Sequence, residues 1–346
     1  MARTRNKNID IIKGIIIILV IFGHGLGGWD YNAWDYRFPK ESLAFGLWFN
    51  IYNLFASLGV SVFFFISGYL TNVNSVKNTN NFYEKRIFRF MKPFIYFSVI
   101  YALSNYFIYG DEITLKGLIL GTGGIQLYFL VVLMQLILIT PLYFKCSKKN
   151  LFIVGCIIIN IISGIVHQIH YLNTRSLFNN DMILCTCFIA SYFMGVHIKN
   201  NISIEKKIVS INWMWAILIA LIGMIVRVAN TYTVLKITDF PIVAISFVEL
   251  SGLIEALSFT ILLVKLLNIS NNKLSCKPLE WLGERTMGIF LIHWLFENYL
   301  QRWFNDHISM DYVIIANVLL ILSVLILCSI CMYIWDIIKR RYRIVK

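Results

Sequence analysis

Charge is scarce in this sequence. Charged residues make up 14% of it, where a soluble domain carries about 25%, and that deficit excludes an ordinary cytosolic enzyme. Proline is rare, five in 346 residues, as a mostly helical chain requires. Apolar residues reach 58%, which excludes disorder. No Walker motif, dinucleotide fingerprint, heptad run or internal repeat is present. No gap between apolar stretches is long enough for a separate soluble domain. The seven cysteines are an odd number. None falls in a segment expected outside the cell, so no exported disulfide framework is implied.

What the sequence does have is long apolar runs. A spanning helix needs about 20 mostly apolar residues. That window finds about ten candidates, at about 9–27, 46–71, 91–109, 125–143, 151–168, 182–198, 209–227, 241–265, 286–301 and 312–337. The expected fold class is all-α: a polytopic membrane helix bundle of about ten transmembrane helices, forming a single integral-membrane domain over residues 1–346.

The 31 Lys and Arg against 18 Asp and Glu give a net charge of +13. On a soluble protein this excess points to nucleic acid. On a membrane protein it marks basic cytoplasmic loops, so membrane lipids are the expected partner and nucleic acid is not. With the N-terminus inside, 24 of the 31 basic residues fall in inner segments and seven in outer ones. The seven are Arg37, Lys40, Lys116, Arg175, Arg227, Lys236 and Arg302. The alternation predicts both termini on the cytoplasmic side. Trp29, Trp34, Trp48 and Trp303 near outer ends, and Trp213, Trp215, Trp281 and Trp335 near inner ends, agree with interfacial belts. The N-terminus looks like a signal peptide, but Gly23–Gly28 offers no A-x-A site and contains His24, so it reads as a retained first helix.

Ionisable groups inside a bilayer are costly and mark functional candidates. The first helix holds Asp10, Lys13 and His24. Lys13 and His24 share a face, about 16 Å apart along the axis, and Asp10 lies within about 40° of the same direction. One polar stripe therefore runs up this helix. Asp10 and Lys13 are i,i+3 neighbours able to pair or to anchor the helix end. His24 sits between Gly23 and Gly25, which admit a close backbone or ligand.

The stretch Glu84-Lys85-Arg86-Ile87-Phe88-Arg89-Phe90-Met91-Lys92-Pro93 reads as a loop with a cationic cluster at the inner surface. It suits either lipid headgroups or a phosphate site, where Arg forks match the geometry. Farther on, Glu249 and Glu255 stand at membrane depth, as protonated packing groups, proton carriers or partners of a distant base. His293 and Glu297 lie one turn apart on one face. His167 and His170 have a spacing that can bind metal, but no third ligand accompanies them, so they read as surface histidines and no metal is expected. Cys328 and Cys331 read as small hydrophobes.

These residues fall into motifs. The chain resembles the acyltransferase-3 family of integral membrane acyltransferases, and within it the sugar O-acetylase branch related to fucose 4-O-acetylase. The resemblance rests on Asn8-Ile9-Asp10…Lys13-Gly14…Phe22-Gly23-His24-Gly25. It continues through Phe63-Phe64-Phe65-Ile66-Ser67-Gly68-Tyr69, Lys85-Arg86…Arg89…Pro93 and Gln126-Leu127-Tyr128-Phe129-Leu130. It closes on Leu282-Gly283-Glu284-Arg285-Thr286-Met287-Gly288-Ile289-Phe290-Leu291-Ile292-His293. The motifs keep their order over about residues 5–335. Lys13 stands where many members have Arg, and Tyr128 where Trp is common. Lys keeps the charge without the bidentate fork.

The resemblance implies transfer of an acyl group, usually acetyl, from cytosolic acetyl-CoA to a hydroxyl of a cell-envelope glycan or lipid-linked sugar at the bacterial cytoplasmic membrane. The residues fit that expectation. Arg86 and Arg89, with Lys85 and Lys92, are placed to hold the donor's phosphates inside, and a pantetheine arm would bridge from them to His24. His24 is expected to act as general base or as acyl carrier, with Lys13 and Asp10 farther down the same stripe, too far along the helix to touch it. Ser67 and Tyr128 are expected to orient the donor. Glu249, Glu255, His293 and Glu297 are secondary candidates. The alternatives are a polysaccharide exporter or small-solute transporter, for which buried charges also suit, and a non-catalytic assembly partner. Oligomeric state is not legible.

Overall fold

A computed structural model of the protein describes residues 6–27, 58–174, 184–238, 250–269, 275–307 and 313–344. Every described element is helical. Apart from the single turn Val73–Val76 and the short turns Ile125–Leu127 and Cys185–Cys187, they are in chain order α1 (Lys7–Gly27), α2 (Leu58–Tyr69), α3 (Thr79–Tyr109), α4 (Leu115–Leu120) and α5 (Tyr128–Lys145). There follow α6 (Lys149–Thr174), α7 (Ile189–Lys199), α8 (Ile202–Ser210) and α9 (Trp213–Thr238). The last three are α10 (Leu250–Leu267), α11 (Lys277–His307) and α12 (Val313–Ile344).

Among the described residues, six helices are long and apolar enough to cross a membrane: α3, α5, α6, α9, α10 and α12. Their outer faces carry what lipid contact requires. On α6, for example, Leu151, Val154, Ile158, Ile162, Ile165, Val166 and Ile169 are all exposed. A soluble protein does not display such a continuous apolar face. The protein is a multi-pass membrane helix bundle. Each segment expected from the sequence overlaps a described helix, but α1, α2, α7 and α11 fall outside the length and composition that mark a span by themselves.

The chain divides into two compact units. Residues 1–59 with 269–346 form one, and residues 60–268 the other. The first is a three-helix group in which α1, α11 and α12 each pack on the other two. The second holds the helices from α3 to α10.

Helix ends follow local chemistry. Asn78 caps α3 by accepting from the Asn81 backbone N–H at 3.1 Å, and α3 stops at Gly110 with φ of 73°, a conformation that favours glycine. Asn201 caps α8 in the same way. In the second unit the Tyr69 hydroxyl donates to Glu205 on α8, which also pairs with Lys199 at 3.6 Å. Lys265 on α10 donates to the carbonyls of Val209, at 2.8 Å, and Ile211. These bonds hold the short amphipathic α8 against the ends of α2 and α10.

The segment expected as a loop, residues 84–93, is instead helical and belongs to the first half of α3. A strong cap at Asn78 starts the helix early, and Pro93 is tolerated within it. Proline lacks an N–H, so the carbonyl of Arg89 is left without its helical donor.

Candidate functional site

The lower part of the polar stripe of α1, Asp10 with Lys13, forms the pair that its spacing allows. Lys13 Nζ lies 3.2 Å from Asp10 Oδ1, with the two side chains 23% and 7% exposed. His24 lies in the last two turns of α1; its side chain falls outside the described residues.

Two glycines decide how α1 meets α11. A side chain on Gly14 would overlap the carbonyl oxygen of Leu279, and one on Gly283 would overlap the carbonyl oxygen of Asp10. Small residues let membrane helices approach this closely. Both contacts fall in the first two turns of their helices. Yet α1 and α11 form the most extensive pairing among the described elements. Antiparallel helices meeting at such a point would overlap over those turns alone. The two therefore run side by side in one direction, with Gly14 level with Gly283. Asn8 Nδ2 donates to Ile269 O at 2.6 Å, which ties the start of α1 to the segment leading into α11.

This register sets depth. His24 and His293 each stand ten residues beyond their glycine, about 15 Å along each helix, so the two positions share one level of the unit. His293 is 0% exposed. Its Nδ1 lies 2.8 Å from the Phe290 carbonyl and 3.3 Å from that of Ile289. A carbonyl only accepts, so Nδ1 carries the proton and in the neutral ring Nε2 is an acceptor. Glu297 follows one turn later, also 0% exposed. Cys328 of α12 is buried within electrostatic reach of it.

The other candidates lie in the second unit. Arg86 is half-buried; its guanidinium sits 5.9 Å from the Phe82 ring centre and Nη2 lies 3.4 Å from the Leu70 carbonyl. Lys85, Arg89 and Lys92 are exposed on the same stretch of α3. Ser67 donates to the carbonyl of Phe63 at 2.8 Å, one turn back in α2. Tyr128 stacks near Phe188 at 6.2 Å, within the aromatic cluster of Phe64, Phe129 and Phe188. Glu255 is buried on α10. Glu249 lies outside the described residues. The structure thus groups Asp10, Lys13, His293 and Glu297 in one unit, with the backbone position of His24. Arg86, Ser67, Tyr128 and Glu255 fall in the other.

Two expectations need correction. His167 is not a surface histidine: it is buried, with Nδ1 donating to the Ser163 carbonyl at 2.6 Å. Among the described residues no cluster of three or more potential metal ligands occurs. Arg227, assigned from the sequence to an outer loop, is 0% exposed inside α9, which continues to Thr238. Its Nη1 donates to Ser251 Oγ on α10 at 2.7 Å, and Asn230 donates to the same oxygen at 3.2 Å. The signal was available in the apolar residues on both sides of Arg227, which carry the helical pattern past it.

The first unit thus holds a half-buried ion pair and a buried histidine–carboxyl face within a membrane bundle. The Acyl_transf_3 family model, described as an acyltransferase domain, matches residues 6–336. The chain belongs to this family and is a membrane-bound acyltransferase. No curated protein and no solved structure matches it.

Proposed function

We propose that this protein is an O-acetyltransferase that moves acetyl from cytosolic acetyl-CoA to a hydroxyl of a cell-envelope carbohydrate, in the manner of the sugar O-acetylase branch its motifs resemble. The observation that carries this reading is the pairing of buried Asp10 with half-buried Lys13, 3.2 Å apart, on the helical stripe that continues to His24. A membrane helix bears the cost of such a stripe when the stripe does chemistry. Family membership favours the enzyme over a carrier or a scaffold.

In this reading His24 removes the proton of the acceptor hydroxyl. The hydroxyl oxygen forms a bond to the acetyl carbon, the carbon–sulfur bond breaks, and the proton ends on the departing thiolate. A variant route passes the acetyl first to His24 as acyl-imidazole. Lys13, held by Asp10, stands about 16 Å from His24 along α1 and contributes positive charge along the donor's path rather than at the reacting carbonyl. Arg86, Arg89, Lys85 and Lys92 bind the donor phosphates, with Ser67 and Tyr128 orienting the donor. The cytoplasmic membrane of a bacterium, with both termini inside, is the setting this chemistry needs.

The test is direct. Membranes holding the full chain are incubated with acetyl-labelled acetyl-CoA and envelope glycans, and the label is followed. Label in ester linkage to a sugar is expected. Label that stays wholly on CoA, with acetyl-CoA failing to raise the thermal stability of the purified protein, overturns the reading.

A further inference from the structure

Glu297 is the carboxyl for which both oxygens, among the described residues, are buried without a hydrogen-bond partner. The residue is 0% exposed. His293 does not satisfy it, although it lies one turn away on the same face. Nearly all buried polar side chains have partners, so an exception calls for one. Cys328, the described titratable group on α12 that faces it, is a weak donor.

The pair has a defined hydrogen-bonding character. The Phe290 carbonyl, 2.8 Å from Nδ1, accepts the hydrogen bond of the ring N–H, which leaves Nε2 of the neutral ring as an acceptor. A carboxyl's carbonyl oxygen accepts whether or not the group is ionised. An acceptor nitrogen and a carboxyl acceptor on one helix face, their residues about 6 Å apart along the axis, are complementary to a ligand carrying several donors. The diverging O–H bonds of neighbouring sugar hydroxyls reach two acceptors so placed, through hydrogen bonds of about 2.8 Å each. A single aliphatic alcohol or an acyl chain does not. The site also lies at the level of His24, fixed by the Gly14–Gly283 register, where an acceptor hydroxyl is required.

We propose that Glu297, with His293 one turn before it, is the binding subsite for the acyl acceptor, and that its ligand is a polyhydroxy compound held through its hydroxyl groups. The inference rests on the carbohydrate acceptor of the proposed function and adds the residues that recognise it. Glu297 accepts from ring hydroxyls next to the one that reacts, and His293 accepts from a further one.

The test uses dicyclohexylcarbodiimide, an apolar reagent that modifies carboxyls within membranes. Membranes containing the full chain are treated with it, alone, with glucose, and with permethylated glucose, which keeps the ring but has no donor. Mass mapping of the α11 peptide locates the label in the wild-type protein, and Glu297→Gln serves as the unlabelled reference. Glucose at saturating concentration is expected to slow modification of Glu297 about tenfold, as occupancy of nine sites in ten produces, and permethylated glucose to leave it unchanged. Equal rates with the two compounds overturn the proposal, as does a Glu297 that takes no label at all. Protection by sodium or potassium ions alone also overturns it, since the site is then a cation site. Acetyl transfer is scored separately. Transfer without protection sinks only this inference, and protection without transfer sinks only the acetyltransferase reading.

Discussion

Gly14 and Gly283 meet back to back: a side chain on either would strike the main-chain carbonyl four residues before the other. This reciprocal contact fixes the register of α1 on α11, and with it the common level of positions 24 and 293. Replacing Gly283 with Leu forces the helices apart, and overpacking of this kind costs about 1–3 kcal/mol. Purified Gly283→Leu protein is expected to melt at a lower temperature than wild type in the same detergent and to lose transfer activity. Gly283→Ala should show a smaller effect in the same direction. An unchanged melting temperature in Gly283→Leu would remove the register from the argument.

Arg86 and Arg89 are expected to bind the donor's phosphates. Replacing both by Gln should raise the acetyl-CoA concentration needed for half-maximal rate while lowering turnover less, because ground-state and transition-state binding fall together. A hydrogen bond to a charged group contributes about 1.5–3 kcal/mol, so a loss of tens-fold in apparent affinity is expected. Donor titration of membrane preparations measures it. Unchanged donor affinity assigns the cluster to lipid headgroups.

His24 is expected to carry the proton or the acyl group. General acid–base catalysis contributes about 10²–10⁴-fold, and neither Gln nor Ala supplies a base near neutral pH. His24→Gln should remain inserted, bind acetyl-CoA, and lose activity by at least that order. Retention of more than a few per cent of wild-type transfer moves the search for the base to His293.

Both termini are expected in the cytoplasm. A cysteine introduced at Asn179 should react with an impermeant maleimide added to sealed cells, and one at Asn271 should react only after the cells are opened. Reaction at Asn271 in sealed cells reverses the orientation.

Arg227 is expected to be structural. Its guanidinium is buried against Ser251 Oγ at 2.7 Å, and removing one partner of a buried hydrogen bond costs about 1–3 kcal/mol. Arg227→Ala should lower expression and melting temperature together. A well-folded Arg227→Ala protein with weakened acceptor dependence would place Arg227 in the substrate path instead.

The sequence determined by itself whatever depends on neighbours along one helix. The apolar runs set the helices and the lipid-facing class, because spanning length and hydropathy are local properties. The i,i+3 spacing of Asp10 and Lys13 was enough to predict their pair, and the i,i+4 spacing of His293 and Glu297 their shared face. Tertiary structure decided the rest. That Glu297 lies buried with neither oxygen partnered among the described residues depends on what α1 and α12 bring against α11, which no spacing within α11 encodes. The burial of Arg227 depends on Ser251 from another helix, and His167 is buried although its surroundings in the chain read as surface. The roles of Gly14 and Gly283 emerge only when two helices 269 residues apart touch backbone to backbone. A missing side chain leaves no periodic signal in a sequence; its meaning is set by the helix that occupies the space.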